Sequence, residues 1–213
     1  MENENALAVA AESVGTLSTT DIWSNKEAID QLARASKVWA GSNIIPQNYQ
    51  GQASNCMVAL EMASRMGVSP MIVMQNMYVV KGKPSWSGQA CIMLINNCGK
   101  FTDVKHVYTG EKGTESRGCY VTATRISDGE KVDGVEVTMA MAKAEGWTSN
   151  SKWKNMPELM LAYRAAAFFA RINCPEALMG AHTVEEIQDI SCERNAAADL
   201  TAALKGGDGN DNM

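Results

Sequence analysis

The strongest constraint on this chain is the run from Pro157 to Cys174, PELMLAYRAAAFFARINC, which holds no glycine and no internal proline and is closed by Pro175. Proline at a first helical position gives up no needed N–H, and alanine, leucine and methionine are good helix formers. The run therefore predicts one long helix stopped at Pro175. Leu161, Ala165, Phe168 and Ile172 recur at helical spacing and are expected to face a core. Arg164 and Arg171 are seven residues apart, which returns them to nearly the same side, shared with Met160 and Ala167. Upstream lie Lys143, Trp147, Lys152, Trp153 and Lys154. Cations interleaved with flat rings are what a nucleic-acid strand requires of a protein. The alternative for each arginine is an ordinary ion pair or a solvated head on a buried stem.

Net charge, −5, looks unfavourable for such a partner until it is divided along the chain. Residues 1–76 carry 4 basic and 7 acidic groups, residues 77–180 carry 13 and 10, and residues 181–213 carry 2 and 7. The middle is basic and the flanks are acidic, and charges act over only about 10 Å in ordinary salt.

The other segments follow from local rules. Residues 1–20 are small, polar and acidic and are expected to be disordered. Ser24 and Glu27 match a capping box ahead of a first helix, and a second runs from Gln52 to Met66, with Gly67 where a left-handed cap belongs. Cys56, Ala59, Met62, Ala63 and Met66 form its expected core side. Ser69-Pro70 restarts a short turn. From Met77 the period changes to that of a strand, and Met77–Trp86 reads as a hairpin with Lys81 and Lys83 at its tip. Ser87 is placed to cap a helix through Asn97. Strands are expected at residues 101–109, 118–126 and 131–139, the last two joined by Asp128-Gly129. Residues 111–117, EKGTESR, read as a polar loop, and residues 176–190 as two short helical turns. Residues 191–213 are acidic and rich in glycine and aspartate, and are expected to form a disordered tail. Strands segregated from helices give an α+β class, a meander and hairpin packed on helices, with one domain over 21–190.

Several chemistries lack their motifs. No GxxxxGKS/T loop, no dinucleotide-binding GxGxxG, no GxSxG and no HExxH occurs. The six cysteines form no CxxC, and neither His106 nor His182 lies near a cysteine pair, so reduced core thiols are expected rather than disulfides or zinc. No stretch approaches a membrane span, and Met1–Ala10 has no basic signal region, which places the expected location in the cytoplasm. Asp103, Asp128, Asp133 and Glu136 are the one acidic set a metal-dependent nuclease could use. A ring-forming structural protein without DNA function is the other alternative.

The ordered pieces ALEMASRMGVSP, MYVVKGKPSW, SGQACIMLINNCGKF, AKAEGW and SKWKNMPELMLAYRAAAFFARINCPEALMG resemble the RecT-type phage single-strand annealing proteins across about residues 52–190. Tyr78, Gln89, Trp153-Lys154 and the helix bearing Arg164 carry the likeness most. The resemblance implies a β-β-β-α core and ATP-independent binding of single-stranded DNA. It also implies annealing of a complementary strand through a duplex intermediate, and a homo-oligomeric ring or helical filament. No cofactor is implied; Mg²⁺ enters only as a modulator of DNA binding. A phage exonuclease or host single-strand binding protein in the bacterial cytoplasm is the implied partner, although the C-terminal end here is shorter than in members with a partner-binding domain. On this basis Arg164 and Arg171 are expected as phosphate contacts on a groove floor, Lys152 and Lys154 as its rim, Lys81 and Lys83 as contacts from the hairpin, and Lys143 as a further DNA-binding residue. Trp153 is either a stacking surface or a buried anchor of its loop; Trp86 and Gln89 carry the same ambiguity, and Tyr78 is assigned to the core.

Overall fold

A computed structural model describes residues 19–80 and 82–189. Lys81 and the tail from 191 onward lie outside the described residues, as does all but Thr19 and Thr20 of the expected disordered N-terminal segment. The chain divides into two compact units, Met1–Gln75 and Asn76–Met213.

The first unit is helical: α1 (Thr19–Ser24), α2 (Lys26–Ala40), α3 (Ala53–Met66) and the start of α4 (Pro70–Asn76). Asn25, not Ser24, caps α2, because its Oδ1 accepts the N–H groups of Glu27 and Ala28 at 2.9 and 3.4 Å. The chain turns so that α3 packs on α2, and Gly51 N–H donates to Ala40 O. Cys56, Ala59, Met62 and Ala63 are buried as the spacing predicts, while Met66 is only half-buried. Gly67 ends α3 at φ +63°, with its own N–H bonded to Ser64 O and that of Val68 bonded to Ala63 O. Those two bonds satisfy carbonyls that the helix end leaves open.

The second unit carries two sheets. β1 (Met77–Val80) and β2 (Lys83–Trp86) form the expected hairpin, and β7 (His182–Thr183) adds to β2 in parallel. α5 (Gly88–Asn97) follows; the Ser87 hydroxyl bonds Asn76 Oδ1 rather than capping it. The meander is β3 (Phe101–Thr109), β4 (Gly118–Arg125), β5 (Lys131–Asp133) and β6 (Val137–Thr138), with β4 in the middle. The expected strand over 131–139 is broken in two. Thr122 faces Asp133 and Cys119 faces Val137, a step of three along β4 against four along its partner, so one extra residue bulges out. Gly134 sits there because a Cβ would lie 2.9 Å from the Phe169 ring. β3 bulges likewise between Thr102 and Lys105, where Asp103 adopts φ +53°.

α6 (Met139–Ala144), a 3₁₀ turn (Trp147–Ser149) and α7 (Lys152–Asn155) lead into α8 (Pro157–Asn173), the long helix, followed by α9 (Pro175–Leu178) and a helical segment from residue 184. α8 lies across β4 and against α5. Its buried residues include Met160, Leu161, Arg164, Ala165, Ala166, Ala167, Phe169 and Ala170. This corrects the expected core face: Ile172 is 62% exposed and Phe168 half-buried, whereas the arginine side is covered. A helix contacted by a sheet, a second helix and a returning segment buries most of its circumference, so one apolar stripe does not describe it. Strands β3, β4 and β5 with α8 laid over them give the α+β, β-β-β-α arrangement.

Candidate nucleic-acid interface

Arg164 is 7% exposed. Its Nη2 bonds Asp189, Nη1 lies 3.7 Å from Glu186 Oε1, and the guanidinium stands 4.0 Å from the Trp147 ring centroid. Asp189 also accepts from Asn150 Nδ2 at 2.9 Å and from Trp153 Nε1 at 3.2 Å. Arg171 is bidentate on Glu186, at 2.8 and 2.9 Å, and Glu186 accepts the Thr183 N–H as well. Burial pushes the Glu186 carboxyl up, but those hydrogen bonds and the two guanidinium charges outweigh it and hold the group below its ordinary value.

The expected groove floor is therefore corrected for Arg164, and of the two roles left open for Trp153 the stacking surface is not the one it takes. The arginine's charge is compensated inside the protein, and Trp153, fully buried, is the anchor of its loop. Arg171 retains partial exposure but spends its fork on Glu186. Trp86 is likewise buried, its Nε1 donating to Leu178 O. Tyr78, assigned to the core, is 49% exposed. Lys83 and Gln89 are exposed, and the Gln89 amide donates to Asn76 Oδ1 at 3.3 Å. Lys152 is half-buried with Nζ 3.4 Å from Gln188 Oε1.

Lys143 and Lys154 do come together, with partners that spacing did not reveal. They line a groove of about 840 Å³ with Lys112 and Arg117, which belong to the loop between β3 and β4. Its apolar part comes from Met139, Met156, Pro157 and Leu159, and Trp153 stands behind it. Two acids also line it. Glu115 takes Lys143 at 2.6 Å, and Glu158 takes Arg117 at 2.6 Å and Lys112 at 3.3 Å. Four cations against two carboxylates leave the lining net positive. The Arg117 hydrogen bond, with help from Lys112, keeps the Glu158 carboxyl below its ordinary value. Lys154 makes no ion pair among the described residues.

Arg117 fixes the loop as well as charging it: its side chain donates to Thr109 O and Gly110 O and lies 4.9 Å from the Tyr108 ring centroid. The start of α8 also opens here, and no side chain caps it. Its first N–H groups add a positive end to the lysines. Lys112 and Arg117 were readable only as members of a polar loop; the excess of basic groups over 77–180 was the single sequence signal that includes them.

The acids that a nuclease could use are dispersed. Asp128 pairs with Arg125 in its turn, Asp133 bonds Thr122 and Lys131, and Glu136 bonds Thr109. Among the described residues no three His, Cys, Asp or Glu side chains gather that could hold a metal ion.

The family model described as the RecT family matches residues 40–198, about three quarters of the chain. No curated protein and no solved structure matches it.

Proposed function

We propose, from the premise that this chain belongs to the RecT family, that single-stranded DNA is held in the groove between residues 110–117 and the start of α8. Membership brings single-strand annealing in DNA recombination as the function. The observation that supports the groove is the convergence of Lys112, Arg117, Lys143 and Lys154 from three separate elements onto one open, apolar-floored channel.

Annealing breaks no covalent bond, so it asks for no acid, base, nucleophile or nucleotide hydrolysis. It asks that phosphate repulsion between two strands be reduced while the bases remain able to pair. Lys112, Lys143 and Lys154 supply the mobile charge, and Arg117 holds the loop that bears Lys112 in place. Lys152, Lys81, Lys83 and Gln89 are further contacts for the strand or for the duplex it forms. Arg164, Arg171 and Trp153 act one layer below, as the network that sets the approach to α8. The same reading includes ATP independence, a homo-oligomeric ring or filament, and a partner exonuclease or host single-strand binding protein in a bacterial cytoplasm.

Fluorescence anisotropy of a labelled oligonucleotide, titrated over a range of salt, tests the groove. Lys143→Ala and Lys154→Ala should each weaken binding about equally for all sequences and flatten the salt slope by roughly 0.7, the value for one phosphate contact on a single strand. Lys131→Ala, on the far hairpin of the meander, is the control. Unchanged affinity and slope in both groove variants would refute the assignment, and a strand-annealing assay without ATP tests the activity itself.

A further inference from the structure

We infer that the floor of this groove is a subsite for the flat face of one unpaired nucleobase, so that the groove holds the strand by a base as well as by its phosphates. The inference rests on the reading above and deepens it. Met156 is 43% and Leu159 41% exposed, large apolar side chains left in contact with water at the start of a helix. Both line the groove, together with Pro157 and Met139. Burying such side chains is favourable, and their exposure inside a concave, charged channel marks a surface kept for a ligand.

Charge narrows the class of ligand. Lys112 and Lys143 are 78% and 68% exposed, so their ammonium groups, each beside a carboxylate at the rim, remain open to solvent and to a phosphate. An apolar plate between cationic rims matches a base between its flanking phosphates. Methionine is flexible and polarizable and makes favourable contact with any aromatic ring, so such a floor accepts every base without reading its edge. The Watson–Crick edge stays available to a second strand, as annealing requires. Trp153 keeps the floor in position from behind: it is fully buried, and its Nε1 is tied to Asp189.

The test pairs two probes with two variants. The probes are a single-stranded oligonucleotide and an abasic oligomer of the same length, with the same sugar–phosphate backbone. Met156→Ala/Leu159→Ala should bind the oligonucleotide about three- to tenfold more weakly, with an unchanged salt slope, and bind the abasic oligomer as the parent does. Lys143→Ala/Lys154→Ala should lose affinity for both probes, with a flatter slope. Circular dichroism and size distribution confirm that each variant is folded and assembled like the parent. An apolar-floor variant that loses nothing, or loses equally on both probes, overturns the subsite while leaving the phosphate groove standing. Lysine variants that bind both probes like the parent overturn the groove itself. If the apolar variant loses binding to phosphatidylglycerol vesicles while its oligonucleotide binding is untouched, the floor serves a lipid and the inference falls.

Discussion

Removing the Asp189 carboxylate should destabilise the second unit more than any surface change, and for a reason that also bears on DNA binding. Asp189 is fully buried and receives Arg164 Nη2, Asn150 Nδ2 and Trp153 Nε1. In Asp189→Ala the guanidinium stays inside with only Glu186, 3.7 Å away and already engaged by Arg171, to oppose its charge. Breaking one side of a buried pair costs about 3–5 kcal/mol, and the two orphaned N–H donors add to that without adding linearly. At about 2–4 °C per kcal/mol for a chain of this size, the melting temperature should drop by on the order of 10 °C. Urea denaturation and scanning calorimetry measure the two quantities. Because the cost comes from an unpaired charge, Arg164→Met in the same chain should recover part of the loss. A change below about 0.5 kcal/mol in Asp189→Ala, or a double variant worse than the sum of its parts, would refute this account. Tighter DNA binding by folded Asp189→Ala would show that the carboxylate had been masking a phosphate site, contrary to the structural role assigned to Arg164.

Two further outcomes follow from the neighbouring contacts. Among the described residues the buried Oε2 of Glu185 has no hydrogen-bond partner, and burial pushes its carboxyl above the ordinary value in spite of nearby N–H groups and Lys152. The folded state thus holds its proton where the unfolded chain has released it, so this group costs stability as pH rises through the carboxylate range; Glu186, held low, does the reverse and loses its contribution as pH falls. Glu185→Gln should therefore raise the melting temperature at pH 7 and have less effect at pH 4; an equal effect at both would refute it. At Gly88 a Cβ would lie 2.6 Å from the Tyr163 ring, where α5 meets α8. Gly88→Ala should cost about 1–3 kcal/mol in urea denaturation despite alanine's better helix propensity, and a stabilised variant would show that the helices can separate without strain.

Much of the fold was legible because it obeys short-range rules. Pro157 and Pro175 bound α8, Gly67 takes the left-handed cap that ends α3, and Asp128-Gly129 turns β4 toward β5. Each depends on backbone conformations available to particular residues within a few positions. The bulge in β3 and the one between β5 and β6 were not legible, since the extra residue is defined only by the facing strand. The site divides in the same way. Lys143 and Lys154 could be picked out as cations near tryptophans, and the net charge of the middle segment pointed toward phosphate. Which arginines are free could not be read, because Asp189 and Glu186 reach Arg164 and Arg171 from 15 to 25 residues away in sequence.

By itself, then, the sequence determined where α3, α8 and the β4–β5 turn end or begin, the α+β class, and a family likeness carried by ordered motifs. Only the tertiary structure decided the fate of each charge. Folding brings the 182–189 segment over α8 and neutralises the arginines within the protein, while it brings the loop bearing Lys112 and Arg117 beside Lys143 and Lys154 around an exposed apolar floor. The physical reason is that an ionic side chain takes its role from distance and burial. Those are properties of chain segments meeting in space, and spacing along one helix does not encode them.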